Sequence, residues 1–135
     1  MKLKKTDGDF ATFLIRFIVG YVFITEGIQK FIYSDSLGVG RFIKIGIPHP
    51  EVMAPLVGSC EIVFGFFILI GFLVRLVTIP QIIIMLTALA TTKVPIYQEK
   101  GFFTFSHEAR TDLLMLFSLI FLLIKGAGAI SLDRK

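Results

Sequence analysis

The chain has 135 residues, of which 55% are hydrophobic and 18% charged, with a formal net charge of +4. Its mean hydropathy is +0.83, and a soluble domain of this size would lack the polar surface to cover so much apolar side chain. A lone water-soluble domain is therefore excluded, and the singly scattered basic residues lack the stripe that phosphate recognition needs, so nucleic acid is not an expected partner.

Lipid is the expected solvent. The first apolar stretch, FATFLIRFIVGYVFITEGIQKFIY, is long enough at about 1.5 Å per residue to cross a hydrocarbon core of about 30 Å. The basic MKLKK before it resembles the start of a signal peptide. Arg16, Glu26 and Lys30 interrupt the stretch, however, and no small-x-small cleavage site follows, so a retained helix over 10–32 is expected.

A connecting segment, SDSLGVGRFIKIGIPHPE, is neither long nor apolar enough to cross. Leu37, Phe42, Ile43, Ile45 and Ile47 alternate with Arg41 and Lys44, which predicts a short interfacial or re-entrant element ending at Gly46. A second span follows over 53–73, with Glu61 near its middle and the lone Cys60 beside it. One cysteine excludes an intramolecular disulfide and any CxxC motif, and in an apolar run it is expected to pack as a small hydrophobe.

Arg75 lies in a tight turn before a third span over 76–93, with Pro80 in its first turn, where a missing amide hydrogen is tolerated. KVPIYQEKGFFTFSHEAR links it, half-immersed, to the last apolar run. Starting that run at Ser106 as N-cap, with Glu108 in the first turn, gives a fourth span over 106–125. Lys125, Gly126 and Gly128 mark its end. The expected fold is all-α: a single integral-membrane domain over 1–135, a four-transmembrane-helix bundle.

An even number of spans puts both termini on one side. That side holds Lys2, Lys4, Lys5, Arg75, Lys125, Arg134 and Lys135, a small excess over Lys30, Arg41, Lys44, Lys93, Lys100 and Arg110 opposite. The excess favours cytoplasmic termini. Tyr33 and Tyr97 fall at the far ends of their spans, where interfacial tyrosines belong.

Ionisable groups inside spans are costly and seek partners within the bundle. At about 100° per residue, Arg16, Phe23, Glu26, Gly27 and Lys30 share one face of the first span, bordered by Gly20. Glu26 and Lys30 stand at i, i+4 in the favourable order. Ala54, Gly58, Glu61, Gly65 and Phe72 form a comparable stripe on the second span. These two glycine-bearing faces are expected to meet, because small residues permit close helix approach.

Depth arithmetic sets Glu26 about 9 Å and Glu61 about 12 Å below the outer boundary. Arg110 and Asp112 on the fourth span, and Lys93 on the third, arrive at a similar level. Glu26, Lys30, Glu61, Lys93, Arg110 and Asp112 are thus expected to converge in the outer half, with Arg110, Lys30 and Lys93 separating the carboxylates. Arg16, with Arg75 and Asp133, belongs to a second cluster on the cytoplasmic side, where Arg16 would meet Asp133 or lipid headgroups. The outer cluster reads either as an ion-paired plug fixing helix register or as an outward-opening pocket for a small polar molecule, a proton or a quinone headgroup. His49 lies between prolines and His107 at a boundary, without the spacing for haem or metal ligation. No intrinsic cofactor is expected.

Several segments together resemble the DoxX family of small bacterial membrane proteins. They are RFIVGYVFITEGIQK (Arg16–Lys30), GIP (Gly46–Pro48), EIVFGFFILIGFLVR (Glu61–Arg75), HEARTD (His107–Asp112) and GAGAISLD (Gly126–Asp133). The resemblance covers nearly the whole chain in order. It implies a four-helix membrane bundle in the bacterial inner membrane, associated with quinone-linked oxidoreductase assemblies. It marks Arg16, Gly27, Lys30, Glu61, Gly71, Arg75, Glu108, Arg110, Ser131, Leu132 and Asp133 as family-typical, with no catalytic role implied for any of them.

A non-catalytic subunit or accessory factor of a membrane oxidoreductase complex is the first functional expectation. A small-molecule or proton-coupled transporter using the same carboxylates is the second, and a structural assembly factor the third. Lipid, membrane oxidoreductase subunits and further copies of the chain are the partners this setting implies, and quinone or lipid the ligands.

Overall fold

The computed structural model describes residues 8–128 and 131–132, and among these every regular element is helical. The first helix, α1, runs Gly8–Ile32. Two short helices, α2 (Ser34–Leu37) and α3 (Val39–Lys44), make up the connecting element, and Phe42 of α3 is buried. Gly46, at φ 77°, ends α3 as expected: its amide donates to Ile43 O and the Ile47 amide to Phe42 O, the paired bonds of a Schellman turn.

Helix α4 (Pro50–Ile70) begins at a proline in its first turn and ends at a second such turn. There the Gly71 amide donates to Ile68 O at 3.2 Å and the Phe72 amide to Phe67 O at 2.9 Å. The Phe67 and Phe72 rings meet edge-on at 5.4 Å, the apolar contact that accompanies this motif. Gly71 has φ 77°, and a Cβ there would collide with Ser131. Only glycine serves at this corner.

Helix α5 spans Val74–Ala88 and passes through a π-helical turn, Leu89–Lys93, into α6 (Val94–Lys100). Pro80 therefore lies in the second turn of α5, not the first: Leu73, in the left-handed conformation, starts the helix earlier than the hydropathy pattern does. Threonine hydroxyls bond back along this stretch, Thr87 to Ile83 O at 2.9 Å, Thr91 to Thr87 O at 2.8 Å and Thr92 to Ala88 O at 2.5 Å. These bonds shelter polar groups within their own helix.

Helix α7 (Phe102–Glu108) and α8 (Arg110–Lys125) meet at Ala109. Ser106, expected as an N-cap, lies inside α7, and the chain turns at Ala109 with φ −93° and ψ 2°. A serine preceding an acidic residue looks like a cap in sequence, but the aromatic run Phe102–Phe105 carries the helix past it from the other side. Among the described residues, three stretches are long and apolar enough to cross a membrane: Phe10–Ile32, Pro50–Ile70 and Val74–Lys100. The 16 residues of α8 reach about 24 Å, short of a core of about 30 Å.

Helices α1, α4, α5 and α8 pack as a bundle, α1 against α4 most extensively and α5 against α8 next. Val19, Phe23, Ile68, Val77, Met85, Met115, Leu119 and Leu122 form the common core. Along the α1–α4 seam the backbones approach closely. A Cβ at Gly27 would stand 2.5 Å from Gly58 O, and one at Gly20 would stand 2.8 Å from Gly65 O. The two glycine stripes meet, as their spacing predicted, and backbone lies against backbone along the seam.

Candidate functional site

The close α1–α4 approach sets up the first polar feature. Lys30, in the last turn of α1, places its Nζ 2.7 Å from Glu61 Oε1 of α4. The side chains are only 14% and 5% exposed. Lys30 reaches across the seam and does not pair with Glu26, its expected i, i+4 partner. Glu26 is exposed and forms no ion pair among the described residues. An exposed i, i+4 pair is worth only about 0.2–0.5 kcal/mol, whereas a buried carboxylate without a counter-charge is far costlier. The buried acid takes the lysine.

A second, separate pair lies where the π-helical turn meets α8. Lys93 Nζ is 3.7 Å from Asp112 Oδ2, with the side chains 17% and 19% exposed. Asp112 sits in the first turn of α8, where a negative charge is favoured by the helix dipole. Arg110 is exposed, and its guanidinium donates to the carbonyl of His107 at the α7–α8 corner. The single convergent cluster expected of Glu26, Lys30, Glu61, Lys93, Arg110 and Asp112 is thus divided into a buried pair, a half-buried pair and two exposed residues. Depth arithmetic fixes level but not direction around the bundle, and the break at Ala109 turns Arg110 outward.

At the end of the bundle where α4 and α8 finish, arginines bind backbone. Arg16 is fully buried and donates from Nη1 to Ala127 O at 2.7 Å and from Nη2 to Leu69 O at 3.4 Å. Its guanidinium also lies 5.3 Å from the centre of the Phe13 ring. The expected contact with lipid headgroups is corrected by this burial: the Leu69 carbonyl in the last turn of α4 and the Ala127 carbonyl just past α8 need donors, and a guanidinium supplies several at once. Arg75 donates from Nη2 to Ile124 O at 3.1 Å and Lys125 O at 3.2 Å. Asp133, the third expected member, lies outside the described residues.

Three buried polar residues carried no sequence signal strong enough to single out: Thr12, Thr78 and Gln81, all without exposed surface. The Thr78 hydroxyl donates to Arg75 O at 2.9 Å. Gln81 has no hydrogen-bond partner for either atom of its amide. A glutamine between Pro80 and an isoleucine run was the available clue, since an uncharged amide is tolerated in a span only where it faces protein. Cys60 is a half-buried free thiol. Among the described residues no three His, Cys, Asp or Glu side chains come together as a metal site. A shallow apolar groove of about 280 Å³ opens beside the α1–α4 seam, lined by Ile24, Ile62, Val63, Phe66 and Phe67.

Residues 11–94 match the family model described as DoxX. The chain belongs to the DoxX family. The match runs from α1 through the π-helical turn, so it contains Arg16, the Lys30–Glu61 seam, Arg75, Gln81 and Lys93. A relative from Mycobacterium tuberculosis, described as the uncharacterized membrane protein Rv3486, is 46% identical over 99% of this chain and 86% of its own length. The putative oxidoreductase CatD of Bacillus subtilis is 26% identical over 93% of this chain and 86% of its own length. No solved structure matches this DoxX chain.

Proposed function

We propose that this DoxX-family chain is a non-catalytic subunit or accessory factor of a quinone-linked membrane oxidoreductase. It would cross the bacterial inner membrane four times, with both termini in the cytoplasm. The observation that carries the reading is the closed Lys30–Glu61 contact at 2.7 Å within the glycine-lined α1–α4 seam. Charges engaged with each other between two closely packed helices serve to fix the bundle as a platform. The resemblance to a protein named a putative oxidoreductase supports the redox setting. In this reading α8 completes the bundle as the fourth crossing, extended by α7, and α2 and α3 lie at the interface.

The groove beside the seam is apolar and shallow, which suits an isoprenoid or acyl chain lying against the protein surface. The test is purification of an epitope-tagged chain from its native membranes in mild detergent, paired with deletion of the gene. Co-purification of a redox-active subunit, and at least a threefold fall in a membrane quinone-reductase activity on deletion, is expected. Recovery of the chain alone, with every quinone-reductase activity unchanged on deletion, overturns the reading.

A further inference from the structure

We propose that the bundle holds one water molecule in its core, between Gln81 and Thr78 of α5. Gln81 has no exposed surface, and neither its amide oxygen nor its amide nitrogen has a hydrogen-bond partner. Val77 and Met85, one turn to either side on the same helix face, belong to the common core, so the amide points into the bundle and away from lipid. In surroundings without bulk water, an amide left unpartnered is strongly unfavourable.

Thr78 supplies the other half of the site. It stands three residues before Gln81 on the same face, where Cβ atoms lie about 5–6 Å apart. Helical side chains lean toward the helix N-terminus, which turns the Gln81 side chain back toward Thr78. That hydroxyl already donates to Arg75 O at 2.9 Å, so its free lone pair can only accept. A water in this position accepts from Gln81 Nε2 and donates to Thr78 Oγ1, bridging the two side chains. Neither side chain has exposed surface, so an occupant there is cut off from bulk water.

The consequence is a polar, exchangeable point deep in the fold. Gln81 lies about 10 Å along α5 from its start and Glu61 about 13 Å back along α4 from its end, so the water and the Lys30–Glu61 pair occupy neighbouring levels of the bundle.

X-ray radiolysis of the detergent-solubilised full chain in ¹⁸O-water, read by mass spectrometry, tests this. A bound water generates hydroxyl radical in place and labels the side chains beside it. Met85 is 7% exposed and one turn from Gln81; it should nevertheless label at a rate within threefold of half-buried Met53. Gln81→Leu and Thr78→Val should each reduce Met85 labelling by more than threefold and leave Met53 unchanged. If Gln81→Leu is not recovered folded, Thr78→Val makes the same comparison. Absence of label on Met85 in the unaltered protein, or a reduction of threefold or less in the variants, overturns the proposal.

Discussion

The distal half of the α1–α4 seam and the end of the bundle where α4 and α8 finish both hold cations against acceptors, and they do so in opposite ways. At the seam, Lys30 meets a side-chain carboxylate, and each is the other's counter-charge. At the terminal end, Arg16 and Arg75 donate to main-chain carbonyls in the last turns of α4 and α8 and, at Ala127, just beyond α8. Those carbonyls exist whatever the sequence, because every residue carries one and a helix leaves its last acceptors open. The seam is therefore a pairwise device that can be deleted or exchanged as a unit. The terminal end joins elements through backbone.

Breaking the pair from one side should have the largest effect. Lys30→Met leaves Glu61, whose side chain is 5% exposed, without its counter-charge. Removing one partner of a buried pair costs about 3–5 kcal/mol, so a marked fall in thermal midpoint, or loss of folded protein, is expected in detergent. The double variant Lys30→Met with Glu61→Leu should recover most of that loss, since an apolar replacement of both partners is close to neutral. A double variant no more stable than Lys30→Met would show that the seam is not a self-contained pair.

The next effect concerns what lets that pair form. A Cβ added at Gly27 falls 2.5 Å from the Gly58 carbonyl and 2.7 Å from Ile62 Cγ1. Ile62 can shift, but backbone cannot without moving a helix. Gly27→Ala should therefore cost about 1–3 kcal/mol in a thermal or chaotrope melt. A change at Gly46, which has open space around its Cβ position, should not separate the helices, although its φ of 77° carries its own local strain. If Gly27→Ala is neutral, backbone contact does not set the spacing of α1 and α4.

This contrast also explains how much could be read from the chain alone. The α1–α4 seam was legible because glycine and charge fall at helical spacing on both segments, and two stripes of small residues have few ways to bury themselves other than on each other. The partner of Lys30 was not legible: Glu26 on the same helix and Glu61 on the next are both within reach by arithmetic, and only burial chooses between them. Arg110 was misplaced because the corner at Ala109 carries neither proline nor glycine to announce it. Arg16 pointed to a polar partner, but nothing in a sequence marks a main-chain carbonyl as the acceptor. Gln81 stayed hidden among isoleucines because one uncharged amide barely alters an apolar pattern.

The smallest expected effect belongs to the terminal end. Arg75 is exposed, and its guanidinium joins the start of α5 to the last carbonyls of α8. A cation at a helix C-terminus is worth about 0.3–1 kcal/mol, so Arg75→Met should barely move the global melt. Its signature is local. The Gly126 amide, which donates to Leu122 O at 2.8 Å, and the amides of the preceding turn should exchange with solvent several-fold faster, while those flanking Glu61 stay unchanged. Arg75→Lys should restore only part of this protection, because an ammonium lacks the planar fork that reaches two carbonyls at once. Hydrogen exchange read by mass spectrometry on peptides from each end separates the outcomes. Acceleration spreading to the Glu61 peptide would mean that the two ends are coupled, and that the division between a side-chain pair and a backbone clasp does not hold.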